Sequence, residues 1–197
     1  MDDIFAIQDE ISGAIVTALQ GKLGVEIKAP SVGVDTKNME AYQLFLKARQ
    51  LILLRGLDNL LEARVLLETA IDLDPNFARA IGYVAYIMHT LPLYNDIPPN
   101  YGLMFHLVDR ALKLDPNLPI ALMVKGILTL QIYNDPLEAI SLLERAVLLV
   151  PQDPNTQLYS GYLFSVLGYK KKVLGFAKKA YELAPTNYMS FQYGFQL

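Results

Sequence analysis

The sequence predicts an all-α fold built from stacked helix pairs, and three observations carry that expectation. An alanine and a proline five residues apart recur four times: Ala70 with Pro75, Ala111 with Pro116, Ala146 with Pro151, and Ala180 with Pro185. From proline to proline the steps are 41 residues (75 to 116), 35 (116 to 151) and 34 (151 to 185), converging on the 34-residue period of a helix–turn–helix repeat. Each copy also closes an apolar stretch with helical spacing, as in Ala-Leu-Lys-Leu-Asp-Pro at 111–116. Proline has no N–H to donate to the preceding turn, so it ends a helix or opens the next one. Finally, no stretch alternates polar and apolar residues as strands do, while Gly and Pro cluster at intervals.

The elements follow in order. Residues 1–24 read as one amphipathic helix, with Ile4, Ile7, Ile11, Ile15, Ala18 and Leu19 on one face and Gln8, Asp9, Glu10 and Thr17 on the other. Asp2 and Asp3 suit the positive N-terminal end of its dipole, and Gly21 and Gly24 suit its end. Residues 25–40 hold a proline and a glycine and no helical period, which predicts a linker. Four repeat units then tile 41–187, each placed just after the preceding proline: 41–77, 78–118, 119–153 and 154–187. Residues 188–197, with Tyr188, Phe191, Tyr193 and Phe195, start a further or capping helix too apolar to solubilise the end of an array. The expectation is a fragment of a longer array.

Within the units, small residues recur in the first helix at Ala48, Ala85, Gly126 and Gly161. In the second helix they recur at Ala63 and Ala139, followed by Ala70, Ala111, Ala146 and Ala180 before the prolines. This arrangement resembles the tetratricopeptide (TPR) repeat family. The resemblance implies a right-handed α-solenoid of about four TPR helix pairs preceded by the N-terminal amphipathic helix. The chain departs from the pattern in having no tryptophan, and in extra residues around Leu54–Asp58 and in Leu91–Asn100. Two adjacent prolines in the latter predict a protruding loop, and Met104 stands where a small residue is expected. The string Asp-Asp-Ile-Phe-Ala-Ile-Gln-Asp-Glu-Ile at 2–11 resembles the junction before TPR arrays in bacterial multidomain signalling proteins. In those, a TolB-like domain, often behind a class III adenylate cyclase or a winged-helix domain, comes first.

Composition excludes several classes of function. A formal net charge of −3 argues against nucleic-acid binding, which favours a basic surface. Without cysteine there is no disulfide framework and no thiolate metal site. The acidic start is unlike an export signal, and no apolar run reaches the roughly 20 residues needed to span a bilayer. A cytoplasmic protein is the expectation. His89 and His106 belong to no His-Glu-x-x-His pair, and no phosphate-binding glycine loop or nucleophile elbow occurs. Asp72, Asp74 and Asp153 fall at helix ends and turns, as caps do. No catalytic residue, cofactor or metal is expected.

The TPR resemblance implies that first helices line a concave groove. Carried onto this chain, the lining is Tyr42, Phe45 and Arg49, then Arg79, Tyr86 and His89, then Met123, Ile127 and Gln131, then Asn155, Leu158 and Tyr162. Tyr and Arg are frequent binding anchors, because a rigid area and a directional charge survive desolvation. An apolar helix or extended peptide suits this mixture. Three functions follow: a scaffold for a protein partner, an intramolecular regulator in which the helix at 3–23 docks on the array, or a helical domain for a small molecule. Homodimerisation through either end is a further expectation. Lys170, Lys171, Lys172, Lys178 and Lys179 form a solvated outer face or a patch for an acidic partner. In the repeat register given above, Ala111→Asp places an unpaired charge in a tight helix crossing. It is expected to cost on the order of 4 kcal/mol, read as a melting temperature lower by about 10 °C or more.

Overall fold

The structure, a computed structural model, describes residues 36–183. The chain divides into two units, 1–37 and 38–197, and the architecture below is that of the second. The segment 1–24 expected as an amino-terminal helix, most of the segment 25–40 expected as a linker, Pro185 and residues 188–197 lie outside the described residues. From Asn38 onward the described chain is all helical, with α1 Met39–Leu54, α2 Leu57–Leu73, α3 Ala78–Thr90 and α4 Tyr101–Leu114, then α5 Pro119–Leu128, α6 Pro136–Leu149, α7 Pro154–Val166 and α8 Lys170–Leu183. Each odd-numbered helix packs along the even-numbered helix after it, and α3, α5 and α7 also pack in sequence. This is an all-α solenoid.

Local chemistry explains the helix starts. Asn38 Oδ1 accepts a hydrogen bond from Ala41 N at 3.1 Å and Asn100 Oδ1 one from Leu103 N at 3.0 Å. Asp135 Oδ1 accepts from Leu137 N and Glu138 N, both at 3.1 Å, and Asp153 Oδ2 accepts from Thr156 N at 2.7 Å. Each cap satisfies N–H groups that have no partner inside the helix. Pro119, Pro136 and Pro154 stand first in their helices, where a missing N–H costs nothing. Because Asn38 caps α1, that helix begins at Met39, inside the segment 25–40 read as linker.

Turns between pairs use a repeated device. In the Asp-Pro-Asn turns, Asn76 N donates to Asp74 Oδ1 at 3.0 Å and Asn117 N to Asp115 Oδ1 at 2.9 Å. An arginine of the next pair then holds the turn. Arg110 donates to the Pro75 carbonyl, and Arg145 to the Pro116 carbonyl at 2.7 Å and to Asn117 Oδ1 at 2.6 Å. Both arginines immediately precede a repeat alanine, so one side-chain position serves successive pairs.

Packing accounts for the small residues. Ala48, Ala63, Ala70, Ala85, Ala111, Ala139, Ala146 and Ala180 are all buried, as are Gly126 and Gly161. A Cβ at Gly126 would lie 3.1 Å from both Ala139 O and Leu143 Cγ, which sit on the partner helix α6. The second-helix position held by Met104 is also fully buried, so this larger side chain fills the core between α3 and α4. The extra residues of 91–100 begin as a short 3-10 turn, Leu91–Leu93, and continue irregularly, with Leu93 and Ile97 exposed. After α5 the chain widens into a π turn, Thr129–Tyr133, which Asn134 ends in the left-handed conformation at φ 51°.

The two glycine environments give opposite expectations. Gly126→Val drives a branched side chain into a backbone carbonyl and should destabilise by about 2–3 kcal/mol. At Gly175, in the middle of α8, an added Cβ meets nothing within 4 Å, so Gly175→Ala should stabilise by up to about 1 kcal/mol. Urea unfolding followed by circular dichroism checks both signs.

Candidate functional site

First helices of the first, second and fourth pairs turn large side chains toward one another. Phe45 of α1 meets Tyr83 of α3 at 5.6 Å between ring centroids, and Tyr83 meets Tyr86 at 6.2 Å. Tyr86 meets Tyr159 of α7 at 6.1 Å, and His89 meets the same ring at 5.9 Å. All four contacts are edge-on, the arrangement in which the positive rim of one ring faces the negative face of another. Two arginines lie over this row. The Arg49 guanidinium is 4.7 Å from the Tyr83 centroid and that of Arg79 is 5.5 Å from Phe45, within cation–π range. A third, Arg55, donates from Nη2 to Asn155 Oδ1 at 3.2 Å, joining the end of α1 to the start of α7.

Burial sets the titration of this row. It pushes the Tyr83 hydroxyl up to about 12, against the opposing charge of Arg49. Burial likewise raises Tyr86 and raises Tyr159 well above the ordinary tyrosine range, with the Arg55 charge acting against both shifts. All three are neutral phenols at physiological pH. For His89, burial disfavours the imidazolium and lowers its pKa, while a hydrogen-bonding contact with Gln131 acts in the opposite direction. His89 Nδ1 and Ser160 Oγ are buried without a hydrogen-bond partner.

The structure sorts the twelve groove candidates into three groups. Phe45, Tyr86, Met123, Ile127 and Leu158 are buried. Tyr42, Arg49, Arg79, His89, Asn155 and Tyr162 are half-buried, and Gln131 is exposed. Tyr86, Phe45 and their ring partners pack on one another, so these groove positions act as core. Sequence reasoning missed Tyr83, Tyr159 and Arg55. The first two carried a signal, because each stands five residues after the start of its unit, at 78 and 154. Arg55 lay among extra residues with no place in the repeat pattern.

Outside this row the remaining candidates separate. His106 is exposed on α4, away from His89 in the pattern of contacts. Asp74 and Asp153 accept the turn and cap hydrogen bonds described above. Lys172 Nζ lies 3.5 Å from Glu144 Oε1 and 4.4 Å from the Phe164 centroid, so part of the lysine run is engaged within the array. Among the described residues, no group of three or more His, Asp or Glu side chains could hold a metal ion. No described helix is long and apolar enough to cross a membrane.

The geometry agrees with solved structures. The chain matches the crystal structure of TTC0263, a thermophilic TPR protein of Thermus thermophilus, with a TM-score of 0.52 and 16% identity, covering 80% of this chain and 100% of that one. The fold is that of a TPR solenoid. It is also similar to YrrB, titled a TPR protein with an unusual peptide-binding site, at a TM-score of 0.47 and 16% identity over 93% of this chain and 87% of that one. No family model matches the chain. Among curated proteins, "Putative adenylate cyclase 3" of Rhizobium meliloti (strain 1021) is 40% identical over 93 residues, which are 46% of this chain and 15% of that protein.

The lowered His89 pKa makes stability depend on pH in a defined direction. The unfolded chain takes up the proton near the ordinary value of about 6.5, whereas the folded chain resists it until lower pH. Stability from a neutral His89 is therefore complete above about pH 6.5 and is lost as pH falls from there through the folded-state pKa. Thermal unfolding of the wild type between pH 7.5 and 5 should fall more steeply than that of His89→Gln. Parallel curves would exclude a titrating role for this ring.

Proposed function

We propose that this segment is a non-enzymatic protein-interaction scaffold whose inner face takes a peptide or helix, within the regulatory part of a larger bacterial signalling protein. The observation that carries the reading is the platform of Arg49 and Arg79 over Tyr83 and Phe45. Such a platform offers directional charge on rigid apolar area, the combination from which binding anchors are made. The TPR solenoid fold supports the scaffold part. The 40% identity to a cyclase-named protein supports the signalling context and an adenylate cyclase neighbour. A cytoplasmic location belongs to the same reading, and so does the absence of nucleic acid or membrane contact by this segment, which rests on the net charge of −3 and the short apolar runs.

A second reading is favoured by the burial of five of the twelve groove candidates. In it the array is an intramolecular regulatory or dimerisation module of an adenylate cyclase or winged-helix regulator, and its groove is not a permanently open site.

A displayed random-peptide library panned on the full chain tests the first reading. Selected peptides should lose at least tenfold in affinity with Arg49→Glu and little with Leu148→Glu, a change on an outer residue that is 81% exposed. Equal losses from both variants, or a library that yields no binder, would count against the inner face.

A further inference from the structure

We propose that the contacts of the fourth helix pair with the first and second pairs form a releasable latch that holds the inner face shut. Its parts are Arg55 on Asn155, and Tyr159 on Tyr86 and His89. A solenoid ordinarily makes its contacts between successive units. Here a single side-chain hydrogen bond joins positions 100 residues apart, and two ring contacts join α3 to α7 past the intervening α5. The backbones of α1 and α7, and of α3 and α7, do not pack along one another. Side chains alone make the closure.

Two features of the closed form favour its release. Arg55 lies in the turn between α1 and α2, at φ 57° and ψ −171°, immediately before Gly56 at φ 87°. Its guanidinium meets a neutral amide, and among the described residues no carboxylate lies within 4 Å of it, so the bond lacks the strength of a paired charge. His89 Nδ1, beside the Tyr159 contact, is buried with no partner, and water would satisfy it on opening. Against these stand the burial of the Tyr86 and Tyr159 rings and the side-chain hydrogen bond between them. A ligand that prefers one of the two forms shifts the balance between them, and the closed form accounts for the burial of Tyr86.

The latch rests on the scaffold reading for its consequence, the admission of a partner to the inner face, but not for its test. Because the chain has no cysteine, the pair Gln50→Cys and Gln152→Cys, both exposed positions on the two sides of the closure, takes spin labels without competition. Double electron–electron resonance on the full labelled chain should show one dominant short distance. Asn155→Ala should raise the ratio of long to short distances about tenfold, with helicity by circular dichroism unchanged. Arg55→Gly should do the same, and because glycine tolerates positive φ this variant removes the bond while relieving the backbone. Unchanged distances in both variants would overturn the latch. No ligand enters the measurement, so that outcome leaves the peptide-binding test of the scaffold standing by itself.

Discussion

No helix in this array can bury its apolar stripe alone, and the constraint that everything else obeys is how closely two helices approach. Gly126 and Gly161 remove side chains where α5 meets α6 and α7 meets α8, and a Cβ at Gly161 would lie 3.2 Å from Phe176 Cβ. Interaxial distance is set by the side chains at the contact. Small residues at the crossings therefore bring backbones together and leave the large residues to fill the spaces between successive pairs. The buried alanines at 70, 111 and 146 and the turn prolines after them are one device used repeatedly: an alanine admits the neighbour, and a proline turns the chain back.

Close approach has a consequence on the inner side. When first helices stand near each other, long aromatic residues facing inward reach one another. Phe45, Tyr83, Tyr86 and Tyr159 become a continuous row instead of separate anchors awaiting a ligand. The row joins binding chemistry to core chemistry. Its arginines still present charge, while its rings contribute to stability through burial, which is why their hydroxyls hold their protons so firmly.

Much of the fold was legible in residues. The helix pairs were readable because proline and alanine act locally, through a missing N–H and a missing side chain. The cap at Asp153 was readable for the same reason: it bonds an N–H group three residues away. Less legible was the start of α1, where the cap at Asn38 set the boundary and the absence of a helical period in the preceding residues gave no warning. The π turn at Thr129–Tyr133 was also invisible, since its widening depends on the surroundings of α5 and not on a distinctive residue.

The candidate site divides along the same line. The groove candidates came from the TPR resemblance, whereas the small-residue crossings that space the pairs were legible in the chain itself. Whether an inward residue is open or closed depends on the angle accumulated over several pairs, and that sum belongs to no single segment. Only the folded array brought Arg55 to Asn155 and Tyr86 to Tyr159, because contacts between residues far apart in the chain arise from many small rotations added together. Sequence determined the helix pair and its small-residue crossings, which act locally; tertiary structure decided which distant side chains meet, because that depends on the stacking of every pair between them.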